Sequence, residues 1–102
     1  MSMVDNMVSM FKREIAKRKI DNLISQLEEE ERVAEFHLEK GLINRQTAAQ
    51  YYRSAYNIGL KQLKMIDEKY NLKELGIDCT IVNLSLKQLK RKGNKLDNSL
   101  SV

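Results

Sequence analysis

The side chains that could do chemistry in this chain are few and far apart. His37 is the single histidine, and a helical metal site of the Glu-x-x-His type would need a carboxylate at position 34, where the chain has Ala34. Cys79 is the single cysteine, so it has no partner for an intramolecular disulfide or a zinc site, and no obvious base lies near it in the sequence. The four glycines are scattered and form no phosphate-binding loop. We therefore expect a protein that is not an enzyme and holds no cofactor or metal.

Two basic segments are the best argument for a nucleic-acid partner. Their cations, which could contact phosphates, are Lys12, Arg13, Lys17, Arg18, Lys87, Lys90, Arg91 and Lys92. The net charge of +4 and the isoelectric point near 9.2 permit such binding. Neither segment is interleaved with aromatic residues, however, and cations in the last turn of a helix also stabilise its dipole. Accessory nucleic-acid binding is therefore the alternative hypothesis for function.

The elements that carry these side chains are organised around residues 41–70. Gly41 suits the left-handed position that ends one helix, and Asn44 is a strong N-cap for the next. From residue 48 onward, apolar and small side chains recur at steps of three and four, which predicts a helix with one face in a core. This face consists of Ala48, Tyr52, Ala55, Tyr56, Gly59, Leu63, Ile66 and Tyr70.

The same helix has a second apolar set, Tyr51, Ile58 and Met65, spaced seven residues apart. Because an outer helix of a small monomer needs only one apolar face, this set indicates a central helix or a surface that binds another protein. The methionine-rich N-terminal segment adds an adaptable apolar surface, formed by Met7, Met10 and Phe11. We expect a protein-protein interaction module that self-associates, most simply as a homodimer.

The apolar periodicity changes register before the turn. Up to Ile15 it follows one helical face, and from Ile20 it follows a face rotated by about a third of a turn. Either the helix breaks near residues 18–21, or one continuous helix packs its two halves against different partners. We favour a break. The second helix contains the acidic run 28–31, and the basic cluster at 12–19, in this chain or in a neighbouring copy, is the expected counter-charge.

The segment 79–86 is compatible with a strand or a helix, since Thr80, Val82, Leu84 and Leu86 alternate and three consecutive residues are β-branched. A lone strand would leave its backbone groups unpaired, so a helix is favoured unless two subunits pair there. A similarity between residues 55–64 and 81–90 also supports a helix, and it leaves open whether the chain contains an internal repeat. Residues 93–102 are polar and aperiodic, and we expect a disordered tail.

These patterns, together with the absence of proline, predict an all-α fold. We expect one domain at 1–92, a small antiparallel bundle of about four helices built on a central helical hairpin, with helices at 3–19, 21–40, 44–70 and 79–92. No apolar run approaches the about 18 residues that cross a bilayer. The single cysteine and the lack of a signal sequence predict a cytoplasmic protein. Binding of lipid or a membrane surface by the amphipathic N-terminal segment is the third, less favoured hypothesis.

Overall fold

The computed structural model describes residues 3–100, and within this range the regular structure is entirely helical. In chain order, α1 spans Met3–Glu39, α2 spans Arg45–Tyr70 and α3 spans Thr80–Leu100. The prediction of an all-α fold is confirmed. The expected number of about four helices is wrong over the described residues, which form three.

Helix α1 is continuous through residues 18–21, where we expected two helices to meet. This stretch contains neither proline nor glycine, so nothing in its backbone interrupts the hydrogen bonds of a helix. Ala16, Ile20 and Leu23 are buried, whereas Phe11 and Ile15 are exposed. The register shift therefore marks the point at which α1 leaves the core, and not a helix end.

The length of α1 explains the elongated shape of the molecule. Its 37 residues extend about 55 Å at about 1.5 Å per residue, and the longest dimension of the chain is 62 Å. Among the described residues of α1, the first buried side chain is that of Ala16. Residues 7–15, which we name the α1 arm, thus lie beside or beyond the end of the core.

A tight turn connects α1 to α2. Gly41 has a left-handed backbone (φ 72°), and the Asn44 side chain accepts a hydrogen bond from the Thr47 backbone N–H at 2.8 Å. Both local predictions, the glycine that ends α1 and the asparagine that caps α2, are confirmed. The turn brings α2 back along α1, so that Gln26 donates a hydrogen bond to Gln62 at 3.3 Å.

Asn71, which also has a left-handed backbone (φ 53°), ends α2. Asp78 lies just before the start of α3. The Asp78 carboxylate accepts hydrogen bonds from the Thr80 hydroxyl at 2.6 Å and from its backbone N–H at 2.9 Å. These two bonds lower the pKa of Asp78 below its ordinary value. The helical prediction for 79–86 is confirmed, with the helix beginning at Thr80.

Helix α3 continues past Lys92, so the predicted disordered tail is wrong for residues 93–100. Ser101 and Val102 lie outside the described residues. The polar segment is held by tertiary contacts, since Gly93 is buried against Tyr52, Leu96 packs on the core and Asp97 forms an ion pair with Arg53. The sequence carries a signal that the predicted tail overlooked, since Gly93, Leu96 and Leu100 continue the steps of three and four set by Val82, Leu86 and Leu89.

The core lies where the three helices meet, and its most deeply buried large side chains are those of Leu27, Tyr52, Val82 and Leu89. The predicted core face of α2 is confirmed: Ala48, Tyr52, Ala55 and Gly59 are buried, while Tyr56, Leu63, Ile66 and Tyr70 are half-buried against the core. Small side chains along this face let the neighbouring helices approach α2 closely.

Candidate interaction surface

The second apolar set of α2 lies on the surface of the chain. Tyr51 is 39% exposed, Ile58 51% and Met65 60%. Their spacing of seven residues places them on one line that is about 21 Å long. Because these side chains contribute little to the core of the single chain, their apolar area is available to a partner.

The α1 arm carries a second group of exposed apolar side chains. Met7, Met10 and Phe11 are 53%, 71% and 63% exposed, and together with Glu14 they line a shallow apolar concavity of about 240 Å³. The three predicted partner-binding residues of the arm therefore lie together.

Two neighbours in the arm, Val8 and Ile15, are each 47% exposed. Sequence reasoning did not include them among the binding residues, although they belong to the same periodic pattern. It placed them on one periodic face of a helix at 3–19, which the structure shows to be part of the longer α1.

A groove between α1 and α2 shows how the two apolar groups are placed relative to one another. It has a volume of about 330 Å³, and Lys19 and Asn22 of α1 line it together with Met65 of α2. Ile15 and Val8 precede Asn22 by seven and fourteen residues, so all three lie along nearly the same side of α1. The arm and the second apolar set therefore share one side of the molecule. We call this side the α1/α2 face, formed by Val8, Phe11, Ile15, Tyr51, Ile58 and Met65.

Met10 does not belong to this face. It lies about 160° around the helix from Val8, because each residue turns an α-helix by about 100°. Phe11, in contrast, lies within about 60° of Val8. Of the predicted arm residues, Phe11 is thus the best placed to act together with α2.

Polar side chains, among them Gln26 and Gln62, line the α1/α2 groove together with apolar ones. Gln26 donates to Gln62 and to Glu30, each at 3.3 Å. Partial burial raises the pKa of the Tyr51 phenol, and the Glu30 carboxylate raises it further. The phenol is thus protonated at neutral pH and can donate a hydrogen bond. Among the described residues, the buried Oε2 of Glu30 has no hydrogen-bond donor.

The far end of α1 exposes one more aromatic residue, Phe36, which is 52% exposed. Its ring lies 5.9 Å from that of His37, and the Lys40 ammonium lies 5.9 Å from its centre. Sequence reasoning missed Phe36. The available signal was its place in a seven-residue series that also contains Ile15 and Asn22.

The candidate nucleic-acid residues are divided among three places. Lys87, Lys90 and Arg91 line an open groove along α3 with Lys95, which sequence reasoning did not include. Arg13 and Lys17 line a separate groove whose other members include Asp21 and Asp78. Lys12 and Arg18 are exposed on α1.

Lys92 has a different role from the other candidate cations. It forms ion pairs with both Glu31 and Glu35 of α1. Within the described chain, the counter-charge for this part of α1 is thus Lys92 and not the predicted cluster at 12–19. The interpretation of Lys90, Arg91 and Lys92 as last-turn cations is also wrong, because α3 extends to Leu100.

The two side chains considered for nucleophilic chemistry or metal binding, Cys79 and His37, are both half-buried. Burial raises the pKa of the Cys79 thiol, and the charges of Asp67 and Asp78 raise it further, which disfavours the nucleophilic thiolate. His37 is half-buried beside Phe36. Over the described residues, no three His, Cys, Asp or Glu side chains form a group that could hold a metal ion.

Comparison with known proteins gives no match: no family model, no curated protein and no solved structure is significantly similar to this chain. The search of the described helices for a candidate membrane span also finds none with the required length and apolar character. Function must therefore be inferred from the residues of the chain itself.

Proposed function

We propose that this protein is a non-enzymatic interaction module that self-associates through the α1/α2 face. The observation that carries the proposal is the exposure of Tyr51, Ile58 and Met65 along one side of α2. Met65 shares a groove with Asn22, and the helical spacing of Asn22, Ile15 and Val8 continues that side along the α1 arm. Burying apolar surface is worth about 25 cal/mol per Å², so covering this face favours association. Tyrosine and methionine are also among the side chains enriched at protein interfaces.

The test is the mass of the protein in solution, measured by sedimentation over a range of concentrations. Self-association predicts a dimer in the wild type and a monomer in Ile58→Asp, since a buried unpaired carboxylate is costly. Circular dichroism would show unchanged helix content. The matched control is Asn57→Asp, which places the same charge at an exposed position about 100° around α2. A wild-type monomer, or a variant whose dimer persists, would contradict the proposal.

A second candidate function, nucleic-acid binding, is favoured by one observation. Lys87, Lys90, Arg91 and Lys95 line a single open groove on α3, as a track for a phosphate backbone would require. Fluorescence anisotropy with labelled duplex DNA tests it over a series of salt concentrations. Binding through this groove predicts that Arg91→Glu lowers the salt slope by about one. The control is Lys64→Glu at an exposed position of α2, outside this groove.

A further inference from the structure

The exposed side of α1 carries a regular pattern along most of its length. Nine positions at an average spacing of 3.5 residues form a line along which a second helix can pack, and four of the nine are apolar. The positions are Val8, Phe11, Ile15, Arg18, Asn22, Ser25, Glu29, Arg32 and Phe36, and all of them are exposed. The two ends of this series are apolar and its centre is polar.

The charges of α1 are separated along its axis. Residues 12–19 contain five cations and one carboxylate, whereas residues 28–39 contain six carboxylates and one arginine. A second α1 in parallel orientation would place each charged segment beside its like. An antiparallel α1 would place the basic segment beside the acidic one, twice in a symmetric dimer.

We propose that the occupant of the α1/α2 face is a second copy of this chain, with the two α1 helices antiparallel about a two-fold axis between Asn22 and Ser25. This proposal rests on the self-association proposed above and adds its geometry. In this register Phe11 lies opposite Phe36 of the second copy, and an aromatic pair covers each end of the interface.

The centre of the interface is polar and complementary. The same axis places Arg18 opposite Glu29 of the second copy, and Asn22 opposite Ser25. Glu29 already pairs with Arg32 in its own chain, but both side chains are largely exposed, and such pairs contribute little. The Glu29 carboxylate can therefore accept an additional hydrogen bond from Arg18 of the second copy.

Tyr51, the first member of the second apolar set of α2, fits the same axis. Gln62 lies level with Gln26, to which it is hydrogen-bonded. Tyr51 is eleven residues before Gln62, so it lies near the level of residue 37 of α1. The two-fold axis places residue 37 of one copy beside about residue 10 of the other. Tyr51 of one copy thus covers the arm of the other, including Phe11, which its own chain leaves 63% exposed.

Other registers lose this complementarity. When the antiparallel pairing is shifted by seven residues, Phe11 lies opposite Glu29 and Ile15 lies opposite Ser25. That shift loses both Phe11–Phe36 pairs and both Arg18–Glu29 pairs. The proposed register keeps these pairs. It also places Ile15 opposite Arg32 of the second copy, so the aromatic pair and the charge pair together select it.

Cysteine cross-linking in a Cys79→Ser background tests the orientation. Phe11→Cys and Phe36→Cys are prepared as separate proteins, and each is oxidised alone and after mixing. The antiparallel geometry predicts a disulfide-linked dimer only in the mixture, joining position 11 to position 36. Links between two copies of position 11, or no link in any sample of folded dimer, would overturn the geometry while self-association stands.

A charge-exchange cycle tests the register with an independent readout. Arg18→Glu and Glu29→Arg are each expected to raise the dimer dissociation constant at least about tenfold, since each creates two like-charge contacts. The double variant restores opposite charges and is expected to recover most of the affinity. Lys64→Glu on another side of α2 is the control and should leave the constant unchanged.

Two outcomes would overturn the proposal in this cycle. Additive loss in the double variant would show that Arg18 and Glu29 do not meet. A wild-type protein that stays monomeric, or that binds vesicles of anionic lipid as a monomer, would overturn both the geometry and the proposed self-association.

Discussion

Gly59 of α2 lies so close to Leu27 of α1 that a Cβ atom at position 59 would be 2.7 Å from Leu27 Cδ2. The same Cβ would be 3.0 Å from Cδ2 of Leu86 in α3. All three helices thus meet at a residue without a side chain. Glycine costs a helix about 1 kcal/mol relative to alanine, and the close approach of two buried leucines offsets that cost.

Gly59→Ala is expected to destabilise the protein. The added methyl overlaps two buried leucine ends, and overpacking of a core costs about 1 to 3 kcal/mol, against about 1 kcal/mol gained in helix propensity. We expect a net loss of about 1 kcal/mol in the free energy of unfolding, measured by urea denaturation.

Gly93→Ala is the matched control. A Cβ there would lie 3.4 Å from Tyr52 Cβ and from Arg53 Cγ, which is ordinary van der Waals contact. The gain in helix propensity is therefore retained, and we expect stabilisation by about 0.5 to 1 kcal/mol. Destabilisation of both variants by equal amounts would contradict the special role of position 59.

Lys92→Met is expected to lower the free energy of unfolding by about 1 kcal/mol. It removes the cation shared by Glu31 and Glu35, whose ion pairs with Lys92 are partly shielded from solvent. The loss should shrink as salt is added, since salt screens the remaining repulsion. Arg32→Met, which removes only the exposed pair with Glu29, should cost less than about 0.5 kcal/mol.

Truncation after Lys92 is expected to cost about 2 kcal/mol or more. The deleted segment contains Gly93 and Leu96, which pack on the rest of the protein, and Asp97, which pairs with Arg53. Thermal unfolding followed by circular dichroism measures the loss. Truncation after Asn98 keeps these contacts and should leave the melting temperature nearly unchanged. Equal stability of the two truncated proteins would mean that residues 93–98 add nothing.

The Cys79 thiol is expected to react more slowly with alkylating reagents in the folded protein than in urea. Its folded pKa is raised, mainly by burial and further by Asp67 and Asp78, so less thiolate is present at a given pH. The rate against pH should show a higher inflection in the folded chain than in the denatured one. An inflection in the folded protein at or below the pH found for the denatured protein would contradict a raised thiol pKa.

The same shift has a defined effect on stability. Because folding favours the neutral thiol, the contribution of Cys79 falls as the pH rises past the thiol pKa of the unfolded chain. Cys79→Ser should remove this part of the alkaline loss, which urea denaturation at neutral and alkaline pH would reveal.

The local elements were predictable where short-range chemistry decides the backbone. Gly41 and Asn44 define the first turn through a left-handed residue and an N-cap, and both effects depend only on neighbouring residues. The core face of α2 was equally readable, because Tyr52 and Gly59 belong to a simple helical period.

The predictions that were wrong concern the ends of helices, which depend on contacts with residues far away in the chain. Residues 93–100 are mostly polar, although Leu96 and Leu100 continue the apolar spacing of α3. Their helix is supported by Tyr52 and Arg53, which lie about forty residues earlier. The register shift near Arg18 fits both a break and one continuous helix whose halves have different surroundings, and only the structure shows that the helix is continuous. Lys92 was read as a last-turn cation because its acidic partners lie on another helix.

The sequence predicted binding residues on α1 and on α2, but it did not show how the two groups lie relative to one another. The spacing of Tyr51, Ile58 and Met65 identified one line on α2, but no sequence pattern shows which part of α1 lies beside it. The groove that contains Asn22 and Met65 supplies that relation and brings Ile15 into the same face.

The sequence by itself determined an all-helical chain, its first turn and the core face of its central helix, because periodicity and capping act over a few residues. Only the tertiary structure decided that α1 is one helix, that α3 reaches Leu100 and that Lys92 forms ion pairs with Glu31 and Glu35. These features depend on side chains that are distant in the chain and meet only when three helices pack together. Packing thus sets the limits of the helices, whose type the local sequence has already specified.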